Sequence, residues 1–150
     1  MLGGETRMRE LRFRAWLKRE KIMTIPEYIT LFSNGDYVLN WTNVDFENRR
    51  KYSAYYSHVK PSTFELMQFT GLKDQNGVDI YEGDVVEFES GAYAQGTWEF
   101  QDRGVVKYLD GKWWLKTNKE LLDFADYCSN VEPEVVGNVF ENPELLKEVD

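Results

Sequence analysis

The chain has 150 residues, of which 42% are apolar and 29% charged, the balance of a single globular domain and not of a disordered chain. A lone cysteine, Cys128, excludes an internal disulfide and points to a reducing compartment. The net charge of −8 is unevenly spread: residues 1–21 carry seven basic and three acidic groups, a balance of +4, while the other 11 basic and 23 acidic groups leave −12. The acidic majority disfavours nucleic-acid binding, which rests on neutralising phosphates, and the basic strip is expected to complement the acidic body, within the chain or across subunits.

No uncharged run approaches the roughly 18 residues of a membrane span, and the Arg-rich start lacks the apolar stretch of a signal peptide, so a cytoplasmic protein is expected. Residues 1–7 read as a disordered leader or cloning remnant, with a second Met at Met8. From Leu11 the pattern alternates. Leu11, Phe13, Ala15 and Leu17 share one face and Arg12, Arg14 and Trp16 the other, which predicts a half-buried strand.

Residues 28–41 predict a hairpin around Asn34-Gly35, a pair suited to a type I′ turn. The two-residue turn would set Phe32 opposite Tyr37, Thr30 opposite Leu39 and Tyr28 opposite Trp41. Both faces of this ribbon are largely apolar, so the rest of the chain or another subunit must cover each. Residues 42–60 are weakly determined and contain Tyr52, Tyr55, Tyr56 and the only histidine, His58.

Phe64 to Phe69 reads as a strand ended near Gly71, followed by a turn at Asp74 to Gly77. Tyr81-Glu82-Gly83-Asp84 leads into a strand at Val85 to Glu89, and residues 90–97 read as a Gly-containing loop. Val105 to Leu109 and Lys112 to Lys116 predict a second hairpin around Asp110-Gly111, with Tyr108 facing Trp113, Val106 facing Leu115 and Lys107 facing Trp114. Adjacent strand residues point to opposite sides. Trp113 therefore belongs to the core and Trp114 to the outer side, beside Lys107 in a cation–π contact. Thr117-x-x-Glu120 matches a capping box and predicts a short helix to about Tyr127. Val135 to Phe140 reads as a last strand, and Asn142-Pro143 as the start of a short helix.

The chemical motifs fail on their own terms. Counted from Asp74 as position one, an EF-hand loop would need Gly at six and Glu at twelve, where Asp79 and Val85 stand. The Gly91 to Gly96 spacing resembles a phosphate loop, but Thr97-Trp98 replace the required lysine and hydroxyl residue. His58 and Cys128 are two potential ligands where a zinc site takes about four, and they carry no nucleophile signature. No catalytic, cofactor or metal residues are assigned, and the chain is not expected to be an enzyme. Arg12, Arg14, Trp16, Lys107 and Trp114 are the candidate interaction surface. With Lys112 and Lys116, Trp114 could stack single-stranded nucleic acid.

Three stretches resemble one family. They are MRELRFRAW from Met8 to Trp16, LMQFTGLKD from Leu66 to Asp74 leading on to IYEGDVV from Ile80 to Val86, and EVVGNVFENPELL from Glu134 to Leu146. In this order they are similar to the YopX family of phage and prophage proteins. The resemblance implies an all-β fold of coiled antiparallel sheets with an SH3-like, barrel-type C-terminal part. The chain has no internal repeat and no low-complexity linker, so it reads as one domain over 8–150, divisible into an N-terminal subdomain 8–60 and a barrel-like subdomain 61–142. The resemblance brings no established activity and no catalytic residues. The expected function is that of a non-catalytic phage accessory protein, a homo-oligomer contacting an unidentified phage or host protein. The alternative is a nucleic-acid-binding β-barrel module.

Overall fold

A computed structural model describes residues 8–34, 37–45, 50–59, 63–126 and 132–148. The protein is mostly β, as expected, and its strands form three curled antiparallel sheets among those residues. The first has the order β2-β1-β6-β7, from β1 (Phe13–Leu17), β2 (Ile22–Thr24), β6 (Phe64–Lys73) and β7 (Asp79–Tyr81). The second is a three-stranded ribbon of β3 (Tyr28–Leu31), β4 (Tyr37–Asp45) and β5 (Arg50–Val59). The third has the order β11-β10-β9-β8-β12, from β8 (Asp84–Ala94), β9 (Thr97–Leu109), β10 (Lys112–Lys116), β11 (Leu121–Asp123) and β12 (Glu134–Asn138). This five-stranded sheet is compatible with the barrel-type part.

The alternation in β1 does what its period implies. Ala15 and Leu17 are buried with Leu39 and Phe64, and Ile29 and Leu66 pack on them. β1 pairs along its length with β6, joining the N-terminal strand to the body of the chain. A second cluster holds Ile80, Val86, Phe88, Val106, Leu115 and Phe124, with Trp113 packed against it. A third is smaller: Val85 and Val105, covered by Val139, Leu145 and Leu146 of the C-terminal segment.

The hairpin of β9 and β10 has the expected register, Tyr108 opposite Trp113, Lys107 opposite Trp114 and Val106 opposite Leu115. Its turn residues Asp110 and Gly111 both take positive φ, 51° and 80°. The other hairpin is shifted by one residue. Leu31 faces Tyr37, Thr30 faces Val38, Ile29 faces Leu39 and Tyr28 faces Asn40, so the pairings of Phe32 with Tyr37 and Tyr28 with Trp41 do not form. A one-residue slip exchanges the faces of a strand. Here it sets Ile29 opposite the fully buried Leu39 and against the first core cluster, a gain that outweighs the two-residue turn.

Five other elements differ from expectation. Gly71 (φ 90°) does not end β6 but accompanies a register shift between Phe69 and Lys73. The predicted loop at 90–97 is the end of a long hairpin, closed by Gln95 and Gly96 with φ of 54° and 84°. The Thr117 hydroxyl accepts from the Lys119 and Glu120 N–H groups as a cap would, yet the chain continues as β11, and only residues 124–126 of the described stretch are helical. β12 stops at Asn138, whose side-chain oxygen accepts from the N–H groups of Phe140 and Glu141. The helix after Pro143 forms as a 3₁₀ helix, Pro143–Glu148, but the Asn142 oxygen accepts from the Asn138 N–H instead of capping it.

Candidate functional site

The turn Tyr81 to Asp84 joins all the neighbouring elements. Gly83 holds φ at 80°, where a side chain would be strained; its N–H donates to the Val106 carbonyl and its carbonyl accepts from the Val139 N–H, each at 2.9 Å. Asp84 is 1% exposed. One of its oxygens accepts from the Tyr81 N–H at 2.8 Å and the other from Arg14 Nη2 at 2.6 Å. Burial pushes the Asp84 carboxyl above the ordinary carboxylate range, against the opposing pull of Arg14 and the Tyr81 N–H. Arg14 also donates to the Glu82 carbonyl and lies 4.8 Å from the Tyr81 ring centre. Its Nε is buried without a hydrogen-bond partner.

Arg12 repeats the arrangement two residues earlier. It pairs with Asp79, which also holds Lys73, and its guanidinium lies 4.0 Å from the Phe69 ring centre. The hydrogen bond from Arg12, followed by that from Lys73, holds the Asp79 carboxyl below the ordinary range. Lys18 pairs with Glu65, and Trp16 stacks on Phe140 at 5.6 Å. Three basic groups of the N-terminal strip thus meet the acidic body within the chain.

Beside these pairs lies a groove of about 970 Å³ between β1, β7 and the segment from Met23 to Leu31. Its floor carries the two arginine–aspartate pairs. Its rim is apolar and open: Leu11 is 63% exposed, Ile25 71% and Leu31 72%, with Val78 close to half exposed. Composition and alternation gave no sign of this rim, because its residues come from three separate segments. The cations at its floor are already neutralised, so the groove offers apolar contact. No grouping of three His, Cys, Asp or Glu side chains suited to a metal occurs among the described residues.

The remaining predicted residues lie elsewhere. Trp114 donates its Nε1–H to the Leu109 carbonyl at 2.9 Å, and Lys112 Nζ, not Lys107, sits 4.2 Å from its ring centre. The cause is geometric: Lys112 is also held by Asp123 on β11, which pairs opposite Trp114. Lys107 is exposed on β9. His58 lies on β5, and Cys128 lies outside the described residues. Asp74, set aside as a calcium ligand, is a buried fastener: one oxygen accepts from the N–H groups of Asn76 and Val78 and the other from that of Val135, 61 residues away. No helix of the described residues is long and apolar enough to cross a membrane.

Two solved structures share this architecture. The crystal structure of protein EF1440 from Enterococcus faecalis is 28% identical, covers 93% of this chain and 99% of its own, and superposes with a TM-score of 0.59. The crystal structure of YopX from Bacillus subtilis is 23% identical, covers 93% and 98%, and has a TM-score of 0.63. No curated protein matches the chain. The family model described as "YopX protein" matches residues 12–147, which takes in β1, the Tyr81 to Asp84 turn and the C-terminal segment. The chain is therefore a member of the YopX protein family.

Proposed function

We propose that this chain is a non-catalytic accessory protein that acts through protein–protein contacts, with a second copy of itself as the occupant of the groove. The observation that carries this reading is the open rim of Leu11, Ile25 and Leu31. Grouped large apolar side chains on a soluble protein mark contact surfaces. The rim is bordered by β2 and β3, which end their sheets among the described residues, and edge strands are where copies of a chain can pair across a two-fold axis. The resemblance to phage and prophage proteins supports a phage-derived gene, and the lone cysteine a cytoplasmic location.

Nucleic-acid binding draws less support. Arg12, Arg14 and Lys18 are spent on internal carboxylates, and Trp114 already uses its N–H and holds a lysine over its ring. Multi-angle light scattering on the full chain at roughly 20 μM, a concentration that reports contacts of about −6 kcal/mol, tests the proposal. A mass above the 17.7 kDa of one chain, lost in Leu31→Asp, is expected. A strict monomer contradicts it. Anisotropy titration with single- and double-stranded DNA and RNA at low salt tests the alternative.

A further inference from the structure

β3 ends its sheet among the described residues, and it is the edge there with the least to blunt it. Sheet edges are ordinarily protected by brevity, by charge or by a bulge. β2, β7 and β11 have three residues each, β12 carries a bulge between Val135 and Gly137, and β5 begins with Arg50-Lys51. From Tyr28 to Asn34 the chain has no charge and no proline. Large apolar groups stand open along it: Tyr28 is 48% exposed, Leu31 72% and Phe32 44%.

The segment Tyr28-Ile29-Thr30-Leu31-Phe32 reads alike in both directions: aromatic, aliphatic, threonine, aliphatic, aromatic. A strand that pairs antiparallel with its own copy across a two-fold axis needs this symmetry, because each residue faces the one equally far beyond the axis. With the axis at Thr30, Leu31 meets the partner's Ile29, Tyr28 meets the partner's Phe32, and the two threonines meet each other. Each is a favourable cross-strand pair. Ile29 and Leu31 share a face and both line the groove beside β1, but Ile29 packs on the first core cluster while Leu31 lies open. The pairing therefore covers the most exposed residue of the rim. Neighbouring registers fail. An axis at Ile29 sets Leu31 against a glutamate, position 27, and an axis at Leu31 sets Ile29 against a serine and Tyr28 against an asparagine.

We infer that two copies of the chain join β3 to β3, antiparallel about Thr30, merging their three-stranded ribbons into one six-stranded sheet. The inference rests on the self-association reading and names the strand and the register that carry it.

The test is oxidative cross-linking of the full chain at roughly 20 μM with copper phenanthroline as oxidant, in a Cys128→Ser background that removes the native thiol. A residue on the axis faces its own copy with Cα atoms about 5 Å apart, within the range of a disulfide. Thr30→Cys, at an exposed position, is expected to give a two-chain product. Tyr28→Cys lies roughly 14 Å from its own copy in this register and is expected to link at least tenfold more slowly. An equimolar mixture of Tyr28→Cys and Phe32→Cys is expected to link, since those positions face each other. Thr30→Lys sets like charges on the axis and is expected to raise the concentration of half-assembly about tenfold or more while the chain stays folded by circular dichroism. If the parent assembles but Thr30→Cys does not link, Tyr28→Cys links with itself as fast, or Thr30→Lys assembles unchanged, this inference is overturned and the self-association reading stands. A parent with the mass of one chain at every concentration overturns both.

Discussion

The two sides of the Tyr81 to Asp84 turn are built by opposite rules. On the side of β1 and β7 both arginines have their aspartates and the apolar groups at the rim lie open. On the side of β9 the apolar groups are largely folded in, and half-buried Glu82 has no ion-pair partner within 4 Å among the described residues. The difference teaches where stability has been invested. Arg14 and Asp84 lock the N-terminal strand to the turn; Glu82, two residues from Asp84, joins through its backbone, and its side chain makes no ion pair among the described residues.

Breaking the lock is the sharpest way to separate the two sides. Asp84→Ala leaves Arg14 buried and unpaired and frees the Tyr81 N–H, so a loss of about 3–5 kcal/mol is expected in urea unfolding. Gly104→Ala is the next largest. A Cβ there would lie 2.6 Å from Leu115 Cγ in the second core cluster, an overpacking of about 1–3 kcal/mol that the same measurement reads.

Acid titration of stability sharpens the contrast by its sign. Asp79 has its pKa lowered in the fold, so its contribution is complete above the ordinary carboxylate pKa and disappears as pH falls through the lowered value. Glu82 has its pKa raised, so its penalty is complete above that raised value and is relieved as pH falls through it toward the ordinary one. Asp79→Asn is therefore expected to destabilise at neutral pH and converge on the parent in acid. Glu82→Gln is expected to stabilise at neutral pH and likewise converge. Chemical unfolding at several pH values reads both, and matching signs at neutral pH would erase the contrast. The smallest effect on stability is expected at the open rim: Leu31→Asp should change unfolding by less than about 0.5 kcal/mol while altering the mass in solution.

Legibility in the sequence followed the range of the forces involved. The β9–β10 hairpin was readable because Asp110-Gly111 and the flanking alternation ask for the same register. The β3–β4 hairpin was misread by one residue because Asn34-Gly35 asks for one register and burial of Ile29 against Leu39 for another, and the core lies far away in sequence. Gln95-Gly96 turned the chain without the Asn or Asp that marks such turns. The charge imbalance between the first 21 residues and the remainder anticipated internal pairing, but not its partners. Arg12 meets Asp79 across 67 residues and Arg14 meets Asp84 across 70. Of the candidate surface, Arg12, Arg14 and Trp16 lie in the fastening around the turn. The open rim assembles from segments that no local pattern connects.

Light scattering of the parent chain and of Leu31→Asp, at matched concentration, tests most directly whether the open rim is a contact surface between copies. The account predicts a parent mass above one chain, rising with concentration, and a variant that stays at the mass of one chain and remains folded. A parent monomeric across the range, or a variant that assembles as the parent does, would contradict it.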